Sequence, residues 1–273
     1  MNGVVTKQQT PALSVRGLTY SFPGERPLFD DLSFDIQEGE FVSLLAASGM
    51  GKTTLFRLLA GLIDSPKGEI VASGRQISLT EAASKGAQIG YMPQKDCLMP
   101  WRTVLDNAAL GLELNGTSKR VARMRVMEQL PLVGLEGTEH KYPHELSGGM
   151  RQRVSFLRSL LGGADVLLLD EPFSALDAMT RINMQEWLLQ VWEQHRKTIV
   201  FVTHDVDEAL LLSDRVLVAA ISPVTVLEEI IVPIPRPRKY ETVMDAEFIG
   251  LKRQVLSLIS RTQHRSGLEG ESL

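Results

Sequence analysis

Cysteine is almost absent: Cys97 is the only one in 273 residues. A single thiol forms no intrachain disulfide and no cysteine-based zinc cage, and it fits a reducing compartment. A basic excess is missing too, since 29 Lys and Arg stand against 33 Asp and Glu for a net charge of −4. Broad, sequence-independent nucleic-acid binding needs a basic surface, so no nucleic-acid partner is expected. The most apolar long stretch, 41–63, carries Lys52 and Arg57 and is dense in glycine, which disqualifies it as a bilayer span. The opening MNGVVTKQQT lacks the basic-then-apolar layout of a secretory signal. Internal repeats and low-complexity tracts are also missing. A cytosolic chain is expected, with any membrane association made through a partner.

What is present suits a globular fold, because 44% hydrophobic and 23% charged residues supply a core without wholesale disorder. Short apolar, β-branched runs at 41–45, 88–92, 166–169, 198–202 and 215–220 have the length of buried strands. Helix-length segments at 52–62 and 179–195 lie between several of them, so the spacing predicts an α/β sheet with parallel central strands. Leu13–Tyr20 and Asp31–Ile36, joined by the turn-like PGERP, read as antiparallel strands. A helical insert is expected over about residues 95–164, with helical texture from Thr103 and a second amphipathic start at Ser118. The predicted organisation is one α/β domain over 10–235, followed by a short extension, 236–273. The extension begins in the proline-rich PIPRPRKY and carries one amphipathic helix over about 245–261.

Three strings carry chemistry. Ala46-Ala-Ser-Gly-Met-Gly-Lys-Thr-Thr follows a buried strand and opens a helix, the context of a phosphate loop. There Ala46, Ser48, Gly49, Gly51 and Thr54 wrap phosphates, Lys52 supplies a point charge and the Thr53 hydroxyl can ligate Mg²⁺. The usual first glycine is Ala46 here, at a position expected to turn sharply out of the strand. Val166-Leu-Leu-Leu-Asp-Glu is a strand ending in two acids that point to opposite faces. Asp170 can hold the metal's water shell while Glu171 serves as general base, an arrangement that suits hydrolysis. Leu146-Ser-Gly-Gly-Met-Arg-Gln-Arg places Ser147, Gly148 and Gly149 at a helix start, a second anion nest. With one phosphate loop per chain, that nest is best used by the nucleotide of another copy.

On these strings and their order the chain resembles the ATP-binding subunit of ABC transporters up to about residue 235. The resemblance implies a P-loop ABC-type nucleotide-binding fold with an antiparallel β subdomain and an inserted helical subdomain, with ATP and Mg²⁺ as ligands. It implies further roles. Phe22, with Tyr20 competing, matches the aromatic that stacks on adenine. Gln94 matches the glutamine that reaches Mg²⁺ and the attacking water. Ser174-Ala-Leu-Asp177 looks like the loop across the dimer interface, with a helix N-cap by Ser174 as a further use. His204 matches the switch histidine beside the γ-phosphate. Within the family, 96–113 and 171–181 are similar to the nitrate, sulfonate and taurine importer branch, which includes importers of thiamine-precursor pyrimidines.

The resemblance therefore implies an ATPase subunit at the cytoplasmic face of the membrane. It pairs head to tail with a second copy, drives a separate transmembrane permease and works indirectly with a solute-binding protein. A soluble ABC ATPase acting on ribosomes or DNA is the alternative, but tandem cassettes, coiled-coil inserts and basic extensions are missing. A non-catalytic nucleotide-binding regulator, motivated by Ala46, is opposed by Glu171 and His204. Leu98-Met-Pro-Trp101 is an apolar loop segment with two readings, a groove for a permease helix or packing into the helical insert.

Overall fold

The computed structural model describes residues 10–47, 49–64, 67–77, 89–219 and 222–269, with side chains described as far as residue 260. Among the described residues, one sheet is antiparallel, with order β2-β1-β4-β5. It consists of β1 (Leu13–Tyr20), β2 (Phe29–Ile36), β4 (Lys67–Ala72) and β5 (Arg75–Gln76). The second sheet runs β10-β9-β3-β8-β7-β6. Its strands are β3 (Phe41–Ala46), β6 (Ile89–Met92), β7 (Val166–Asp170), β8 (Thr198–Thr203), β9 (Arg215–Ala219) and β10 (Leu227–Ile231). All of these pair in parallel except β10, an antiparallel edge. Thus the antiparallel start and the parallel centre follow the sequence pattern. The expected ends at Gln88 and Ala220 lie outside the described residues.

Every residue of β3, β7 and β8 is buried, as continuous apolar runs covered on both faces must be. Their alternation divides two cores. Val42, Leu44, Leu168, Val200 and Val202 pack towards the antiparallel sheet and α1 (Lys52–Leu59), while Phe41, Leu45, Leu167, Leu169 and Phe201 pack towards the remaining helices. Truncating a fully buried Phe201 would cost about 3–5 kcal/mol. The helix α1 stops at Leu59 rather than Leu62, because the Gly61 and Leu62 amides bond back to the Leu58 and Arg57 carbonyls at 3.0 and 2.8 Å and close it.

Between β6 and β7 lie α2 (Val104–Leu114), α3 (Lys119–Gln129) and α4 (Gly148–Leu161). The Thr103 hydroxyl accepts from the Asp106 amide at 3.2 Å, capping α2. Asp106 in turn receives Arg123 Nε and Nη2, both at 2.9 Å, which pins α3 onto α2. After β7 come α5 (Ala178–His195) and α6 (Val206–Leu212), and the last described element is α7 (Ala246–Glu269), longer than its apolar pattern predicts.

The proline-rich connector wraps the end of α6. Arg238, 5% exposed, donates Nη1 to the Leu210, Leu211 and Ser213 carbonyls and Nη2 and Nε to those of Val232 and Ile234. Arg236 bonds Leu212 O at 2.7 Å and Asp214, with its guanidinium 4.2 Å from the centre of the Trp192 ring. Two arginines therefore satisfy the carbonyls a short helix leaves open at its C-terminus. Burial, with neighbouring Arg236 adding to it against Asp214, holds the Arg238 pKa down to about 10. Arg238→Met should strand several buried carbonyls and lower stability by about 3 kcal/mol, read as an earlier thermal or urea transition. An unchanged transition would show that these bonds do not hold the connector down.

Candidate functional site

The parallel register brings four strand ends to one edge. Leu45 pairs with Thr203, Asp170 with Val202, and Met92 with Leu169, so the segments that follow β3, β6, β7 and β8 leave the sheet side by side. Those segments carry Lys52, Gln94, Glu171 and His204.

Ala46 remains in β3, paired with Ala219, and takes no positive φ; the turn comes after it, so alanine fits without strain. The sharp conformations fall on Gly49 (φ 85°) and Gly51 (φ 81°), and a Cβ on Gly51 would also stand 3.0 Å from Phe29 Cζ. Ser48 lies outside the described residues. Thr53 and Thr54 occupy the first turn of α1, where the Thr53 hydroxyl acts on Asp170 to hold its pKa down against burial. Lys52 Nζ folds back to the Ala46 and Ala47 carbonyls at 3.0 and 3.1 Å.

Glu171 is the centre of the cluster. Lys52 Nζ stands 3.5 Å from Oε1, while His204 Nδ1 stands 3.5 Å and Gln94 Nε2 3.3 Å from Oε2. Its φ of 44° is a left-handed conformation that costs a non-glycine residue on the order of 1 kcal/mol, held by its amide donating to Val202 O at 3.0 Å. Asp170, next to it, is buried, and burial raises its pKa against the opposing hydrogen bonds from Thr53 and Tyr91. The Tyr91 phenol is itself pushed up to about 12, by burial and then by the Asp170 charge. Chemically, a strained, half-screened carboxylate beside a cation, an amide and an imidazole can accept a proton next to a bound phosphate.

Ser174 does not cap a helix. Its hydroxyl donates to Glu171 O at 2.9 Å and accepts from Gln94 Nε2 at 3.2 Å, whereas Asp177 caps α5 by accepting the Thr180 amide at 3.0 Å. Ser147 caps α4 through the Met150 amide at 3.3 Å. Gly148 and Gly149 form the first turn, and a Cβ on Gly149 would come within 2.9 Å of Thr180 Cγ2, so glycine lets α4 approach α5. Phe22 is 39% exposed and edge-on to Tyr20, with ring centres 5.4 Å apart, leaving an aromatic surface at the end of β1. Trp101 is 73% exposed, while Leu98 packs against the core, so the loop divides between the two readings of its sequence.

Several neighbours of the site were not legible in the motifs. Arg151 Nε pairs with Asp96 at 3.0 Å, Arg158 bonds the Asp96 and Cys97 carbonyls at 2.9 and 2.8 Å, and Gln152 Nε2 reaches Gln94 O at 3.5 Å. These ties fasten the Gln94 loop to α4. Tyr91 and Glu208 also escaped, since a tyrosine within a strand and an acid within a short helix give no local signal.

Residues 29–174 match the ABC transporter family. The chain belongs to the ABC transporter family. It is 41% identical over 249 residues to the formylaminopyrimidine import ATP-binding protein ThiZ of Halalkalibacterium halodurans, covering 90% of this chain and 96% of that one. The taurine import ATP-binding protein TauB of Rhizobium johnstonii is 42% identical over 220 residues, 81% of this chain and 77% of that one. Among solved structures, the dimeric post-hydrolysis state of the ATP-binding cassette MJ0796 bound to ADP and Pi superposes with a TM-score of 0.69 at 28% identity. It covers 82% of this chain and 100% of that one. The ABC fold, with its antiparallel sheet and the helices placed between β6 and β7, is thus the one that the family resemblance implies, and this cassette is an ATPase.

Glu208, in the first turn of α6 of the cassette, is bonded to the Thr203 hydroxyl and accepts from Gln185 Nε2 at 2.9 Å, directly behind His204. Burial raises its pKa despite those two partners. A carboxyl raised on folding gives its full stability below the unfolded value, about 4.3, and loses it as pH climbs through the folded value. Glu208→Gln should therefore match the parent in melting temperature near pH 4 and exceed it at pH 8. A constant offset between the two proteins across that range would show that Glu208 does not titrate with folding.

Proposed function

We propose that this chain is the ATP-hydrolysing subunit of a membrane ABC importer, dimerising around ATP to drive solute uptake through a separate permease. The observation that carries this reading is the convergence of Lys52, Gln94 and His204 on the Glu171 carboxylate. The cassette domain spans 10–235, with its helical insert over about 95–164, and 236–273 is a C-terminal extension.

Lys52 is held by two neutral carbonyls and one carboxylate. A polyphosphate offers it more negative charge, and the Gly49 to Thr54 amides at the start of α1 are positioned to receive the rest. Thr53 and Asp170 present neighbouring oxygen donors, a set that fits Mg²⁺, with Gln94 able to join them. The metal supplies charge neutralisation of the phosphates when bound. Glu171 takes the proton of the attacking water, His204 and Gln94 hold the reacting groups in line, and Phe22 stacks on the adenine. Ser147, Gly148 and Gly149 close the site of a second copy, with Asp177 in the loop that faces it. The two chains thus pair head to tail by twofold symmetry.

Among the described residues, no helix is long and apolar enough to cross a membrane. Transport then needs separate transmembrane subunits, with this chain peripheral at their cytoplasmic face and a solute-binding protein delivering cargo. Relatives named for formylaminopyrimidine and taurine import support small organic solutes of that branch. Nucleic acid has no part in this reading.

Glu171→Gln should keep ATP binding, trap the ATP-bound dimer and slow phosphate release by about 10²–10⁴. Turnover at the parental rate would exclude Glu171 as the base. Mixing Lys52→Ala with Ser147→Arg chains should regenerate one complete site per dimer, measured as ATPase activity absent from either variant alone. The exposed Trp101, tied through its loop to Gln94, serves as the permease contact. Trp101→Ala should weaken co-purification with the permease and lower transport, with the melting temperature and ATP affinity of the isolated subunit unchanged. A complex of parental strength would remove Trp101 from that surface.

A further inference from the structure

The Asp170 carboxylate is buried at the end of β7, where it can rotate about its terminal torsion unless a donor fixes its plane. Tyr91 supplies that donor. Its strand is the parallel neighbour of β7, with Tyr91 opposite Leu168, two residues before Asp170, and its hydroxyl donates to Asp170 Oδ2 at 3.2 Å. The phenol is placed from a further side, its ring meeting Phe56 of α1 edge-on with centres 6.4 Å apart, and the Arg57 charge, from the last turn of the same helix, acts on it to hold its pKa down against burial. Three elements thus meet at one phenol: the helix that follows the phosphate loop, β6 ahead of Gln94, and β7 ahead of Glu171.

We propose that Tyr91 is a positioning residue for the divalent-cation site, orienting Asp170 so that it and Thr53 present their oxygens together. The proposal rests on the reading of Thr53 and Asp170 as the groups that hold Mg²⁺. With Oδ2 engaged by the phenol, the carboxylate plane is set before any cation arrives, and the ordering cost of binding is lowered. Groups that orient metal-binding carboxylates in this way change metal affinity by about 10-fold or more when removed. Tyr91 contacts Asp170 through its hydroxyl and Phe56 through its ring, so deleting the hydroxyl should act on the cation dependence.

The test uses Tyr91→Phe in the full chain, which keeps the ring against Phe56 and deletes one hydroxyl. Binding of a non-hydrolysable ATP analogue is measured in EDTA and again across a MgCl₂ titration, with Asp170→Asn beside it. The expected result is parental affinity in EDTA, a half-maximal MgCl₂ concentration raised by about 10-fold, and recovery of the parental plateau at saturating MgCl₂. A parental MgCl₂ curve for Tyr91→Phe, with a flattened curve for Asp170→Asn, would overturn the role of Tyr91 and leave the cation site standing. A parental curve for Asp170→Asn would overturn the cation site and the proposal with it. An equal loss of affinity in EDTA and in MgCl₂ would place the phenol in the nucleotide pocket or the fold and would also overturn it.

Discussion

The parallel register of β3, β8, β7 and β6 is the constraint on which the site depends. Side chains alternate across a sheet with a period of two, so a slip of one residue between β7 and β8 would exchange the faces of Asp170 and Glu171 relative to Thr203. The register is secured by burial on both faces, because such a slip would also move Leu167 and Leu169 from one packed core to the other. Core packing and site geometry are therefore fixed by the same pairing. The cost of Glu171's left-handed backbone is borne by this sheet through the bond from its amide to Val202.

From that edge, order is passed outward through charged side chains. The loop after Gln94 is joined to α4 by Arg151, Gln152 and Arg158, and α4 begins at the Ser147-Gly-Gly turn. Any displacement of the Gln94 loop thus loads the helix whose start presents Ser147. The partners are an ion pair and three backbone carbonyls, so the connection resists pulling in several directions and does not hinge on one bond. This gives a physical route by which a displacement at the exposed Trp101 reaches both Gln94 and the Ser147 turn.

The opposite end of α6 is secured differently. That helix starts directly after His204, where Asp205 accepts the Asp207 and Glu208 amides, and it ends under Arg236 and Arg238. Lys252 of α7 reaches Asp207 with Nζ 2.8 Å from Oδ2, adding a partly exposed contact worth less than about 1 kcal/mol. The buried guanidinium of Arg238 makes the larger contribution, since each carbonyl it satisfies would otherwise be buried without a donor. The C-terminal connector therefore finishes the cassette's last parallel-sheet layer as well as leading away from it.

The sequence by itself determined the chemistry and the class of fold. Continuous apolar runs of four to six residues bounded by turn residues have the length of strands buried on both faces, a Gly-rich turn ending in Lys-Thr fits the opening of a helix, and two acids at a strand end are legible because strand and motif are contiguous. It also determined where Thr103 starts a helix, because a cap acts over three residues. Tertiary structure alone decided which side chains meet. Glu171 and Gln94 are 77 residues apart and Lys52 and His204 lie on different strand connections, so their common centre depends on strand order, which no local pattern encodes. The same holds for Ser174, whose hydroxyl goes to Gln94 and Glu171 while Asp177 takes the cap, and for Tyr91 and Arg238, whose partners lie across the sheet or under a helix end. Local residue order fixes what a group can do, and long-range pairing fixes what it does it to.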